Sequence, residues 1–188
     1  MDTTTKTVQG VTCLAGKVLL SHPAMRGGIF RRTAVFILSQ GSNGAMGIIL
    51  NRPTGRLVSE AAPAFAYTPL ATIPLYVGGP VQPESLMFAA WYGGGDGGYQ
   101  IKCGLSREEA ADLLSSMPDA RLRCFHGHAG WAPGQLEKEC HASNWAPAPL
   151  DFSILNSKEG VQLWQKFLKE YHPFLHLLAQ GPDDPSKN

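Results

Sequence analysis

Arg121-Leu122-Arg123-Cys124-Phe125-His126-Gly127-His128-Ala129-Gly130-Trp131-Ala132-Pro133-Gly134-Gln135-Leu136-Glu137 is the stretch on which the fold turns. Arg121–Phe125 reads as a β-strand, and the three glycines that follow predict a strand end and a tight turn. Pro133 then suits the first position of a helix, where a missing N–H costs nothing. That helix is expected to run to about Ala142. A helix start behind a glycine turn presents unpaired N–H groups and the favourable end of the helix dipole, which is where an anion can be held. The segment therefore nominates both a strand-to-helix crossing and a candidate site.

Working outward, Val18-Leu19-Leu20 reads as a strand stopped by Ser21-His22-Pro23. Thr33–Leu38 is a β-rich apolar run, Ser42-Asn43-Gly44 a turn, and Ala45–Leu50 a second strand, so these predict a hairpin. Leu57–Phe65 is expected as a short helix and Leu75–Val77 as a strand closed by Gly78-Gly79-Pro80. Leu86–Trp91 and Tyr99–Cys103 read as strands on either side of a glycine-rich loop. Ser106 and Glu109 form a capping box, and Ala110, Leu113, Leu114 and Met117 give the helix behind it an apolar stripe. Asn156 and Glu159 suggest a further helix start, with Val161, Trp164, Phe167, Leu168 and Tyr171 at helical spacing beyond it. Strands and helices interleave irregularly, which favours an α+β fold with a mixed sheet over a regular doubly wound one.

The chain has 188 residues, 44% of them apolar and 16% charged. That length suits one domain with its own core. The expectation is a single domain over 11–178 with flexible tails at 1–10 and 179–188. No apolar run is long enough to cross a bilayer, and Met1-Asp2-Thr3-Thr4-Thr5-Lys6 is not a signal peptide. Cys13, Cys103, Cys124 and Cys140 form no CxxC pair and read as buried free thiols in a reducing compartment. A cytoplasmic protein without a membrane partner is expected. Net charge is +1, but residues 1–60 carry seven Lys/Arg against Asp2 and Glu60. Such an excess could dock an acidic partner, phosphate or nucleic acid; the reading adopted is that the charges mix on folding, so nucleic acid is not expected as a direct partner.

Several segments could carry chemistry. Asn51-Arg52-Pro53 ends a strand with two polar side chains, and Gly78-Gly79-Pro80 lets backbone approach a ligand closely. Together with Gly127, Gly130, Trp131, Gln135 and Glu137 they make a candidate ligand-binding set, each member at a strand end or helix start. The competing reading is a hydrolase or metal-dependent enzyme built on the Gly127–Glu137 segment. His126 and His128 share one side of a strand, and Glu137 and His141 share a helix face beside Cys140. Those spacings match no established zinc pattern, and G-x-S-x-G, P-loop and GxGxxG motifs are absent. No catalytic residue, metal or cofactor is assigned, and the balance is against an enzyme.

The motifs occur in a recognisable order. Gly16–Pro23 is followed by Phe30-Arg31-Arg32-Thr33-Ala34-Val35, Gly44–Pro53, Gly78-Gly79-Pro80-Val81 and Gly127–Glu137, closing at Trp145. This order resembles the YqgE/AlgH family of bacterial cytosolic proteins over roughly residues 14–175. The resemblance implies one α+β domain whose mixed sheet curls into a pseudo-barrel with flanking helices. It implies no established chemistry; many relatives carry a transcriptional-regulator label without a recognised DNA-binding motif. His128, Cys140 and His141 depart from the family pattern, so the resemblance gives them no role. A non-enzymatic binding or regulatory protein for a small anionic ligand or a protein partner is the resulting expectation.

Overall fold

Val18, Leu19 and Leu20 are fully buried in the first strand, β1 (Lys17–Ser21). The computed structural model describes residues 13–94 and 98–181. The expected hairpin follows as β2 (Ala34–Gly41) and β3 (Gly44–Ile49), with Val35 opposite Ile49 and Gly41 opposite Gly44. Next come β4 (Pro53–Leu57), α1 (Val58–Ala61), a 3-10 turn at Pro63–Phe65, β5 (Pro74–Val77), β6 (Val81–Gly93) and β7 (Tyr99–Leu105). The chain continues through α2 (Arg107–Ser116), β8 (Arg121–Trp131), α3 (Gln135–His141) and β9 (Trp145–Pro149). It ends in α4 (Phe152–Ser157), α5 (Gly160–Tyr171) and α6 (Pro173–Gln180). The expected tail at 1–10 and the middle of the glycine-rich loop lie outside the described residues. So does 182–188, whereas Ala179 and Gln180 of the expected C-terminal tail belong to α6.

The hydrogen-bonded strand order is β4-β5-β8-β3-β2-β1-β9, with β6 beside β8 and β7 beside β6. β5 runs parallel to β8, while β1–β2, β1–β9 and β6–β8 are antiparallel. The class is α+β with a mixed sheet, as expected, and the sheet is not closed into a barrel: β4 and β9 end the order.

The chain divides into two compact units, one of residues 1–51 with 130–188 and one of 52–129. In the first, β1 and the start of β2 are buried on both faces, as central strands are. Leu163, Trp164, Phe167 and Leu168 form the buried stripe of α5. In the second, Val58, Leu70, Leu75, Phe88, Ala90, Leu113 and Cys124 belong to one apolar cluster. There Arg123, only 6% exposed, lies between aromatic faces, 4.5 Å from Tyr76 and 5.0 Å from Trp91.

Several elements differ from their sequence reading. β8 does not stop at Phe125 but continues to Trp131. Gly127 permits this by taking φ +67° inside the strand, where its backbone meets Gly79 closely. α3 begins at Gln135 rather than Pro133, behind Gly134 at φ +73°. Pro63 divides the expected Leu57–Phe65 helix into α1 and the 3-10 turn. Asp151 caps α4, a helix the sequence reading did not separate from α5, its Oδ1 accepting from the N–H groups of Ser153 and Ile154; Asn156 lies within α4. Glu159 precedes α5 but makes no side-chain cap. Cys13 is exposed rather than buried, and Cys103 and Cys140 are half-buried.

Candidate functional site

Between β1 and β2 the chain makes an excursion, His22–Arg32, whose base is tied shut. Ser21 and Thr33 bond through Ser21 N–H to Thr33 O, 3.0 Å, and Thr33 N–H to Ser21 Oγ, 2.9 Å. Trp164 Nε1 donates to Ser21 O at 3.0 Å from below. Within the loop, Gly27 and Gly28 both sit at φ +73°, a conformation that glycine takes without strain. Arg32 adopts φ +54°, which is uncommon for a residue with a side chain. The carbonyl of Arg32 is held by Asn51 Nδ2 at 3.0 Å. Loops closed at the base in this way give a fixed shape to exposed side chains.

The loop walls a cleft of about 450 Å³ with Trp164 of α5 and the C-terminal end of α6. Its lining, among the described residues, includes His22, Arg26, Arg31 and Arg32, with Pro23, Met25, Trp164 and Leu178 as its apolar part. Ala24 N–H donates to His22 Nδ1 at 3.1 Å, which leaves the proton of a neutral ring on Nε2. A smaller cavity of about 310 Å³ shares His22, Ala24 and Met25 and is completed by Ala142, Ser143 and Asn144. Electrostatically the larger cleft suits an anion: an arginine fork matches carboxylate or phosphate geometry. The sequence signal for it was the basic excess before residue 60, read as scattered charge.

The expected ligand set has structural work of its own. Asn51 is fully buried; its Oδ1 accepts from Ala34 N–H at 2.9 Å and its Nδ2 donates to Arg32 O and Gly160 O, both at 3.0 Å. Trp131 Nε1 and Trp145 Nε1 donate to Glu139 Oε2 at 2.9 and 2.8 Å, and Gln135 Nε2 donates to Glu139 Oε1 at 2.9 Å. Phe30 stacks on Trp131 and meets Trp145 edge-on, with ring centroids 6.3 and 5.7 Å apart. Glu139, which the sequence reading passed over, is the hub of this group; two tryptophans able to donate to one carboxylate were its only signal. Glu137 Oε1 accepts from Gln40 Nε2 at 2.6 Å. Ala132 N–H already donates to Gln135 Oε1 at 3.0 Å, and α3 spans only Gln135–His141, so this start is not a free anion cradle.

In the second unit, Gly78, Gly79 and Gly127 form a backbone clasp. A Cβ on Gly78 would fall 2.2 Å from Gly127 O, and one on Gly127 would fall 2.3 Å from Gly79 O. Gly78 N–H donates to His126 O at 2.8 Å. Arg52 is half-buried, its carbonyl accepting from Val77 N–H at 2.9 Å. Pro53 opens β4 opposite Tyr76, Pro80 is exposed, and Gly130, one residue before the end of β8, is exposed. His126 and His128 are half-buried on β8, and His141 Nδ1 lies 2.7 Å from Glu137 O. Among the described residues, no three His, Cys, Asp or Glu side chains are grouped to hold a metal. No helix among the described residues is long and apolar enough to cross a membrane.

The architecture is that of solved relatives. A crystal structure from Corynebacterium diphtheriae superposes with TM-score 0.71 at 23% identity, covering 89% of this chain and 92% of that one. The solution structure of the AlgH protein from Pseudomonas aeruginosa gives 0.65 at 24% identity, covering 94% and 98%. In sequence, a UPF0301 protein of Methylococcus capsulatus is 33% identical, covering 86% of this chain and 93% of the relative. Another from Streptomyces coelicolor is 33% identical over 95% of this chain and 97% of its own length. With the AlgH-like domain model (DUF179) matching residues 18–174, the chain belongs to the AlgH-like family.

Proposed function

We propose that this chain is a non-catalytic binding protein of the bacterial cytoplasm that takes a small anion in the His22–Arg32 cleft and acts in regulation through that occupancy. The observation that carries the reading is the lining itself: three arginines and a histidine around about 450 Å³. Asn51 and the residues behind it serve as positioning groups. By holding Arg32 O, Asn51 fixes the backbone from which Arg31 and Arg32 project. The Trp131–Gln135–Glu139 group braces Phe30 at the end of the same loop. On this reading duplex DNA is not a direct ligand.

The test is a thermal-shift and calorimetric titration with inorganic phosphate and with a dicarboxylate at low ionic strength. A ligand of the native state raises the apparent Tm. The expected result is a saturable rise that weakens as salt is added and is lost in Arg26→Ala and Arg31→Ala. Absence of any rise at roughly tenfold excess over a millimolar Kd, still at low ionic strength, rejects the proposal.

A further inference from the structure

We infer that the natural ligand of this cleft is a single-chain anionic amphiphile, with its acid group on the arginines and its apolar chain along α6. The inference rests on the anion-binding reading above and specifies what that anion is attached to. The cleft is only half polar, since Pro23, Met25, Trp164 and Leu178 share its lining with the arginines. Leu178 is also the inner end of an exposed apolar stripe. Phe174, Leu177 and Leu178 stand at i, i+3 and i+4, on one face of α6, and are 72%, 65% and 48% exposed. The helix sequence, Pro173-Phe174-Leu175-His176-Leu177-Leu178-Ala179-Gln180, contains no acidic residue, Lys or Arg. An apolar patch that opens directly into a polar cavity marks a site rather than a scattered surface leucine.

Charge decides among the occupants. A second copy packed on this stripe through a two-fold axis would bring two arginine-lined clefts together, a like-charge arrangement that such an interface disfavours. A bilayer offers the right headgroup charge, but three side chains give a small inserted area, and stable anchoring takes more apolar surface or further signals. An acid headgroup carrying one alkyl chain satisfies both halves of the site at once. From Phe174 to Leu178 the helix rises about 6 Å, long enough to seat several methylenes.

The probes are octyl phosphate, inorganic phosphate and 1-octanol, titrated calorimetrically into the full chain below micelle-forming concentrations. Octyl phosphate is expected to bind at least about tenfold tighter than inorganic phosphate, because each buried methylene adds apolar transfer free energy, and octanol weaker than either. The double variant Phe174→Gln/Leu177→Gln, which changes neither lining residues nor core, is expected to erase the octyl advantage. It should keep the affinity for inorganic phosphate and the wild-type circular dichroism. Equal affinity for octyl and inorganic phosphate overturns the amphiphile inference and leaves the anion site standing. Binding of neither phosphate defeats both. An octyl advantage that survives in the double variant overturns the placement on α6. Two further results overturn the choice of occupant: a dimer that the double variant dissociates, or attachment to phosphatidylglycerol vesicles that octyl phosphate does not compete away.

Discussion

Asn51 illustrates how much one buried amide can hold. Its three bonds satisfy Ala34 N–H and the carbonyls of Arg32 and Gly160, groups that come from two separate stretches of chain. Asn51→Ala leaves a buried N–H without a partner and is expected to cost about 3 kcal/mol in urea unfolding. It should also weaken phosphate binding through Arg32, which a purely stabilising role would not do. The glycines differ among themselves. Gly127→Ala drives a Cβ into Gly79 O at a positive φ and is expected to cost about 3 kcal/mol. Gly134, also at φ +73° but with open space around its missing Cβ, is expected to cost only about 1 kcal/mol on the same change. Equal costs at the two positions would refute the clasp.

At the level of elements, α3 is fastened to its unit by Glu139. Glu139→Ala strands two indole N–H groups and is expected to cost about 2 kcal/mol and shift the tryptophan fluorescence, whereas Glu139→Gln keeps one acceptor and should cost less. α4 and α5 are joined by the bond from Tyr171 Oη to Asp151 Oδ2, 2.8 Å. Burial works against the Asp151 carboxylate, yet bonds from Ser153, Tyr171 and the Ile154 N–H hold it below the usual carboxylate range. Burial, then the bond to Asp151, pushes Tyr171 up to about 12. A lowered carboxylate stabilises the fold above its unfolded pKa and loses that contribution as pH falls through the folded value. A raised tyrosine stabilises below pH about 10 and loses its share as pH climbs toward about 12. Asp151→Asn is therefore expected to flatten the fall in Tm below about pH 4 and to make the alkaline loss above about pH 10 smaller. The β2–β3 hairpin and the Ser106 cap were legible because each is written in local signals: an apolar run with a turn, and a Ser–Glu pair three apart. β9 was not, because Pro147 and Pro149 lack the N–H that marks a strand; they are tolerated at the end of the strand order, opposite Leu19 and Lys17. The reach of β8 to Trp131 was hidden for a similar reason, since Gly127 reads as a turn until Gly79 is seen to need its space.

For the whole molecule, the thiols give a direct check on burial. Burial pushes Cys103 and Cys124 up to about 12 and Cys140 to about 11, so these three are held as thiols at neutral pH. Cys13 is exposed. Titration of the native protein with a chromogenic disulfide at pH 8 should release one equivalent quickly and the full four only after unfolding; a fast second equivalent would contradict the described packing. The arginine cleft was the part of the molecule least legible in the sequence. His22, Arg31 and Leu178 meet only because the chain returns after more than a hundred residues, and no local spacing records that return. The division of the chain has a consequence for its synthesis. Residues 52–129 are all made before Gly130, so every partner within that unit is available early. The unit around β1 has to wait: Val18 pairs with Ala148, and Trp164 bonds to Ser21 O. Until β9, in the last quarter of the chain, leaves the ribosome, one edge of Val18-Leu19-Leu20 has no strand to bond with, the condition in which nascent chains recruit each other. Slowing translation before residue 145 should therefore lower the yield of soluble protein more than slowing it after residue 171.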